Sequence, residues 1–376
     1  MNPNPEAPLK TRKTNLKKVV SRPKNPLKLA LKAAQKAGFF VDEEALKKLG
    51  LVAVAYSAVE REWFPTDEAY EAEKEVERRA EDVMARLAEF GIPAKGYPAD
   101  RYFLAKLLVD KPKLVLNLVD TVKGRDGLQT SVPAALELTD IPYTGAGMNG
   151  MVIGNDRTLF KQLLDTNDIP TPDYQFISRK GKKVDADLGL PLIVKLNESG
   201  GSVGIDNQAV KESLEEAQQK VSDLIGEYKI PVIVEQFVDG DEITVAVFDD
   251  GQRQHVYQGK KLFRKKQDGK HFFTSLESYR DPKSYRYEKV KNEELAARIE
   301  SLTKRAFNIL HNRDYAKFDV RVDQETGEAY FTDGNPNTAF GPHIGLPFTE
   351  VLDLHGVPFD AVLISLLSKH AKKIED

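Results

Sequence analysis

The chain of 376 residues contains no cysteine, which excludes thiol catalysis, disulfide staples and thiolate metal sites. Histidine is scarce too: six are scattered without paired ligand spacing, so a zinc enzyme is not expected. No apolar run approaches the roughly 20 residues needed to span a bilayer. Nor does one sign of charge dominate. The balance of 55 basic against 58 acidic residues leaves a net charge of −3, with no bias toward nucleic acid or membranes. What is present, 41% hydrophobic and 30% charged residues, suits folded soluble globules, and the length suggests two or three domains. A cytoplasmic setting is the default expectation.

The first 48 residues differ from the rest. Up to Lys36 they hold ten Lys or Arg against the single acid Glu6, with five prolines in the first 26 positions. They read as a basic, flexible extension outside the core, a targeting segment or basic arm being the alternative. Within them Leu27 to Phe40 fits a short amphipathic helix. Beyond them, apolar strand-length runs alternate with helical stretches, at Leu51–Tyr56, 67–90, Leu114–Leu118 and 131–138. That alternation predicts a small parallel α/β domain. A helix over 156–167 follows, then a strand ending at Lys195, a glycine-rich loop, and a helix over 211–225. Strands at 231–238 and 242–248 come next. The helix expected over 292–310 carries Leu295, Ile299, Leu302, Ala306 and Ile309 at the spacing of a buried stripe, and a last helix is expected over 359–370.

Two consecutive strand-like runs hold Asp319, Asp333 and Asn335. The runs are Tyr315-Ala-Lys-Phe-Asp319-Val-Arg-Val and Ala329-Tyr-Phe-Thr-Asp333-Gly-Asn335-Pro, with turn-forming residues 323–327 between them, a pattern that predicts a hairpin. Asp333 and Asn335 then project from one face. Two carboxylates and an amide oxygen are ligands for a hard cation such as magnesium, which keeps positions for nucleotide phosphates. A solvated hairpin with incidental acids is the alternative.

Two glycine-rich stretches admit three competing readings. Gly145-Ala-Gly147-Met-Asn-Gly150 matches the dinucleotide fingerprint but lacks the long apolar strand that should precede it. Gly200-Gly-Ser202-Val-Gly204 matches the hydrolase elbow, yet an extended stretch follows where a helix is required. The better reading of this loop is a flap whose backbone N–H groups approach phosphate oxygens, with Lys195 adding a charge. An ordinary hairpin loop is the alternative.

Together these pieces resemble the ATP-grasp superfamily, and most closely the D-alanine–D-alanine ligase family. The resemblance runs from about Leu51 to Leu367. It is carried by Ser57-Ala-Val-Glu60-Arg-Glu, Gly124-Arg-Asp-Gly127, Ile141-Pro-Tyr-Thr-Gly145, Leu192-Ile-Val-Lys195 with its flap, Val234-Glu235-Gln-Phe-Val238-Asp-Gly-Asp-Glu242, and the Asp319, Asp333 and Asn335 set. It implies an α/β ATP-grasp fold of three domains, with nucleotide between the second and third. The expected boundaries are an extension over 1–48, an N-terminal domain over 49–145, a central subdomain over 146–236 and a C-terminal subdomain over 237–376.

By the same resemblance, Glu235 accepts from the adenine amino group while the backbone of Gln236, Phe237 and Val238 reads the ring edge. Glu242 binds the ribose. Arg157 and Lys195 contact phosphate beneath a flap that includes Gly200, Gly201 and Ser202, and Lys283 is the mobile lysine of the lid. Asp319, Asp333 and Asn335 hold two magnesium ions, manganese being an acceptable substitute. Glu60 holds the amino group of the first substrate, Lys317 serves the γ-phosphate and Ala339 lends an N–H to an oxyanion hole. The implied reaction is ATP-dependent amide formation between two amino acids through an acyl phosphate, and the family suggests a homodimer.

Several positions depart from the family pattern. Lys317 stands where arginine is usual, which removes a bidentate fork. Asp333 replaces a glutamate, Arg157 replaces a lysine, and Gly201 replaces a substrate-contacting serine. Asp120 lies nearest to a missing histidine. After Asn335 the chain runs Pro-Asn-Thr-Ala-Phe340-Gly-Pro-His343-Ile344-Gly, with isoleucine where a serine should hold the acceptor carboxylate. The alternatives are therefore a ligase for another dipeptide or specialised amide, and a nucleotide-binding protein without ligase activity. Finally, residues 259–271 form a basic patch, a solvated hairpin face or a lid that attracts anions.

Overall fold

The computed structural model describes residues 25–64, 67–281, 283–342 and 345–375. Three sheets follow one another along the chain. The first comprises β1 (Val52–Tyr56), β2 (Ala94–Pro98) and β3 (Leu114–Leu118), all parallel in the order β2-β1-β3. β1 and β3 are buried almost throughout, as parallel strands covered on both faces must be. Helices Asp67–Glu89 and Phe103–Asp110 make the crossovers. Tyr143 adds one parallel bridge to Val115, which closes the unit.

The second sheet is antiparallel: β4 (Tyr174–Ile177), β5 (Leu192–Leu196), β6 (Val210–Lys211) and β7 (Val232–Gln236) lie in the order β4-β7-β5-β6. Helix Leu214–Tyr228 covers it with Ala217, Val221 and Leu224. The third sheet holds β8 (Gly240–Asp249), β9 (Gln254–Phe263), β10 (Tyr285–Lys289), β11 (Tyr315–Asp323) and β12 (Ala329–Asn335), antiparallel in the order β10-β9-β8-β11-β12. Between the two sheets the chain crosses at Gly240 with φ +147°, where a Cβ would sit 2.0 Å from the Val322 carbonyl oxygen. Only glycine fits such a crossing.

Helix Glu293–Ile309 buries Ile299, Leu302 and Ala306 of the expected stripe, and adds Thr303 and Phe307. Among the described residues no single helix is long and apolar enough to cross a membrane; the apolar helix Phe359–Glu375 is spent on the core instead. Sequence periodicity does not reveal β2, the helix Phe103–Asp110, or the lid strands β9 and β10, whose residues alternate weakly or carry many charges.

The extension behaves differently from expectation. Residues 1–24 lie outside the described part, but Pro26–Ala37 is a helix capped by the Asn25 side chain, and Glu43–Lys48 is a second. Ala30, Leu31, Ala34, Phe39, Ala45 and Leu46 join the cluster built around helix Phe359–Glu375. Phe39 packs edge-on against Phe248 at 4.9 Å, and Asp250 accepts from the Phe40 N–H at 3.0 Å. From Pro26 onward this segment is core, because the apolar face of a lysine-rich helix finds an apolar partner.

The Gly145–Gly150 run is also explained by packing. Asp314 accepts from the Gly145 N–H at 2.8 Å, and a Cβ on Gly150 would lie 2.5 Å from the His311 carbonyl oxygen. These glycines let two backbones touch. Gly150→Ala is expected to cost about 1–3 kcal/mol by overpacking, read from chemical denaturation midpoints with unchanged slope.

Candidate active site

The second and third sheets face each other across a cleft, and their facing strands place most of the charged candidates there. On the second sheet β5 and β7 are register-paired. Lys195 on β5 donates to Glu235 Oε2 on β7 at 2.9 Å, and Lys161, from helix Arg157–Thr166, approaches the same oxygen at 3.5 Å. Burial alone would raise the Glu235 carboxyl, but Lys161 and Lys195 outweigh it and hold it below the usual carboxylate range. Burial pushes the Lys161 ammonium down to about 8. Glu235 Oε1 is buried without a hydrogen-bond partner among the described residues. A buried orphan acceptor costs about 1–3 kcal/mol, and a ligand N–H relieves it.

Next along β7, the N–H groups of Gln236 and Phe237 donate to the Asp173 and Pro191 carbonyls, at 2.9 and 2.8 Å. Two of the three backbone groups expected to read an adenine edge are thus already engaged. Glu242, on β8, is tightly held. Lys261 donates to Oε1 at 2.7 Å, the Thr274 N–H to Oε2 at 3.0 Å, and Arg321 to Oε2 at 3.2 Å. Burial opposes ionisation of Glu242, but Lys261 and Arg321 prevail and lower its pKa to about 2. Arg321 in turn stacks over Phe237 at 4.5 Å.

The lid region presents two lysines in different settings. Lys283 is exposed on a turn whose Asp281 accepts from its backbone N–H. Lys261 of β9 is instead the buried ammonium of this region, 4.9 Å from the Tyr285 ring centroid. It belongs to the basic patch, and its place on the inward face of β9 was hidden by the neighbouring charges.

On the third sheet β11 and β12 pair as expected, Asp319 opposite Asp333 and Lys317 opposite Asn335. A bulge at Asp319/Val320 leaves Thr332 as the extra residue, which re-aims the following side chains. Lys317 donates to Asp319 Oδ2, and the Thr244 hydroxyl lies 3.4 Å from Oδ1. Arg157 donates to Asp333 Oδ2 at 2.8 Å and to the Leu196 carbonyl at 2.7 Å. Asp333 and Asn335 line one pocket with Asp126, Arg157, Ser199 and Gly200. The Asp126 carboxylate accepts from the Gly200 N–H at 2.6 Å, which ties the flap to the first domain. Gly201 and Ser202 follow in left-handed conformation at a turn, with open space around Gly201. Ser202 therefore sits on no strand-to-helix elbow. Among the described residues no three acids or histidines cluster as a metal site. The Asp319, Asp333 and Asn335 set has two acids and an amide, all oxygen donors, which suits magnesium.

The loop after Asn335 lies where the first domain meets the third sheet. Tyr315 donates to Asn337 Oδ1 at 3.0 Å and stacks on Phe340 at 4.8 Å, so the loop carrying the half-buried Ala339 is anchored at both ends. His343 and Ile344 lie outside the described residues. Glu60 is exposed ahead of the short turn Arg61–Trp63. The carboxylate brought to the first-domain cluster belongs to Glu73: Thr121 donates to it at 2.6 Å, and the Ser57 hydroxyl accepts from the Asp120 and Thr121 N–H groups at 3.1 and 3.0 Å. Arg79 pairs with Asp120 beside it. Glu73 lies inside the charged helix, where nothing in the spacing separates it from its solvated neighbours.

A family model described as D-ala D-ala ligase C-terminus matches residues 163–368. The chain belongs to the D-alanine–D-alanine ligase family. It is 30% identical over 258 residues to the D-alanine–D-alanine ligase of Polaromonas naphthalenivorans, covering 65% of this chain and 74% of that one. It is 28% identical over 309 residues to the Albidiferax ferrireducens enzyme of the same name, covering 80% and 84%. Among solved structures, the Bacillus anthracis D-alanine–D-alanine ligase complexed with ATP superposes with TM-score 0.66 at 19% identity, over 87% of this chain and 99% of that one. The Enterococcus faecalis VanG D-Ala:D-Ser ligase superposes with TM-score 0.63 at 17% identity, over 85% and 99%. The fold of this ligase-family member is therefore ATP-grasp.

Lys261 and Lys283 give contrasting expectations. Lys261→Ala strands a buried carboxylate and should cost about 3–5 kcal/mol, whereas Lys283→Ala should stay within about 0.5 kcal/mol. The Glu242 carboxyl titrates lower in the folded chain than in the unfolded one. Its contribution is full above about pH 5 and fades as pH falls toward about 2. Glu242→Gln should flatten stability against pH in that window, measured by urea unfolding.

Proposed function

We propose that this ligase-family member, an ATP-dependent carboxylate–amine ligase, joins two amino acids through an acyl phosphate. We assign the roles as follows. Arg157, Lys195 and the Gly200–Ser202 flap take the triphosphate. Glu235 Oε1 accepts from the adenine amino group, the Val238 N–H reads the ring edge, and Glu242 with Lys261 adjoins the ribose. Asp319, Asp333 and Asn335 would hold magnesium, which supplies charge neutralisation at the transferring phosphoryl group. The observation that carries this reading is the convergence of Arg157, Asp333, Asn335 and Gly200 on one pocket.

The chemistry follows from that layout. A carboxylate is a weak electrophile, so an oxygen of the first amino acid attacks the γ-phosphorus and ADP departs. The amine of the second amino acid then attacks the acyl carbon. The carbon–oxygen bond to phosphate breaks, inorganic phosphate leaves, and the ammonium proton is released. Lys317 and Arg157 offset charge on the transferring group, and the Ala339 N–H faces the developing oxyanion. The flap shields the acyl phosphate from water. Glu73, rather than Glu60, receives the ammonium of the first amino acid. A homodimer is part of the same reading: Tyr102, Leu108 and Val109 leave apolar surface exposed on the first domain.

Phosphate release with ATP and magnesium across a matrix of D- and L-amino acid pairs, with product mass read for each active pair, tests the function. D-Alanine is the first amino acid to try. Absence of turnover and of condensed product with every pair would sink the ligase reading. Asp333→Asn, which leaves Arg157 an oxygen acceptor, should lower kcat by about 10²–10³-fold while the thermal midpoint stays within a few degrees. Burial lifts the Glu73 carboxyl to about 7, so it is neutral below that pH in the free protein. The KM for the first amino acid should therefore fall as pH rises through about 7, and Glu73→Gln should abolish that dependence.

A further inference from the structure

Arg79 is unexplained by the roles assigned so far. It stands in the middle of helix Asp67–Glu89, yet it is only 8% exposed. Burying a guanidinium is costly unless its N–H groups find acceptors. Here one terminal nitrogen meets Asp120 Oδ2, while Nε is buried with no partner among the described residues. The pairing uses one nitrogen and one oxygen, not the two-pronged fork that guanidinium favours. The Asp120 side chain keeps 28% of its surface exposed, so the pair borders open space rather than closed core.

The surroundings point toward the acceptor half of the site. A Cβ on Gly341 would lie 2.7 Å from Arg79 Cγ and 2.9 Å from Cδ. The loop after Asn335 is therefore fitted over this arginine, two residues beyond Ala339. Tyr279, on helix Leu276–Arg280 of the lid, is near enough to feel the charges of both Arg79 and Asp120. Two parts of the molecule thus meet at one incompletely satisfied cation, the first domain and the Asn337–Gly341 loop, with the charge of Tyr279's surroundings linked to both. The first amino acid cannot supply its anion, because that carboxylate must face the γ-phosphate.

We propose that Arg79 is a specificity-determining residue that binds the carboxylate of the second, amine-donating amino acid. This rests on the ligase reading above. The carboxylate takes the N–H capacity of Arg79 that Asp120 leaves unused. The acceptor's amine is then carried toward the Ala339 side of the loop, where the acyl carbon is presented.

The test compares the most active acceptor of the amino acid matrix with its own carboxamide, starting with D-alanine and D-alaninamide. In the wild-type protein the free amino acid should show a KM at least about tenfold below that of the carboxamide. Arg79→Met should erase that preference by raising the KM of the free acid alone, with the KM for ATP within about threefold, and Arg79→Lys should restore part of it. Asp120→Asn separates binding from mere structure. It frees the arginine and should leave the preference intact or strengthen it, whereas a purely structural ion pair would make Asp120→Asn resemble Arg79→Met. A preference that survives in Arg79→Met, or KM values for ATP and both amino acids that rise together, would overturn the assignment. If Arg79→Met does not fold, the Arg79→Lys and Asp120→Asn pair decides by the same comparison. If no pair turns over, the ligase reading fails first. Calorimetric binding of D-alanine to wild-type and Arg79→Lys protein loaded with a non-hydrolysable ATP analogue then decides the Arg79 role: equal affinities refute it, and at least about fivefold weaker binding by the lysine variant supports it.

Discussion

Arg157 is the pin on which the cleft between the second and third sheets depends. Its buried guanidinium bonds the end of β5 through the Leu196 carbonyl and β12 through Asp333. One side chain thus spans the two sheets that must face each other. A buried cation is tolerated only where its donors are satisfied, so the facing of these sheets and the Arg157–Asp333 ion pair depend on each other. The helix that carries Arg157 also delivers Lys161 to Glu235. The same element therefore sets both ends of the cleft.

Four acids along that cleft already have cations. Lys195 and Lys161 serve Glu235, Lys261 and Arg321 serve Glu242, Lys317 serves Asp319, and Arg157 serves Asp333. Such pairing keeps like charges from repelling in a low-dielectric space. It also holds these side chains in fixed orientations before any ligand binds. The first domain adds a further layer with Glu73, Asp120 and Arg79, joined to the third sheet through Tyr315 and Asn337.

Glycine carries a second lesson. The Gly145–Gly150 run imitates a dinucleotide loop in sequence, but its glycines admit the Asn337 side chain and the His311 carbonyl. Gly341 admits the stem of Arg79 in the same way. In each case the missing Cβ makes room for close contact between chain segments far apart in sequence, which no local pattern of residues can announce.

The apolar runs of β1, β3, β5 and β7, the turn between β11 and β12, and the residues spaced along Val234–Glu242 were legible in the chain itself. Period-two alternation and short turns are local properties. Asp319, Asp333 and Asn335 came together for the same reason, since a hairpin brings its own strands into contact, although the bulge at Thr332 was invisible. Tertiary structure alone decided that Lys261 and not Lys283 enters the cleft, that Glu73 and not Glu60 reaches Ser57 and Thr121, and that the lysine-rich helix Pro26–Ala37 docks into the core. Each of those outcomes depends on which partner surface a long charged side chain or an amphipathic face finds. That is set by the packing of distant elements, where desolvation and pairing compete over several kcal/mol, rather than by residue spacing.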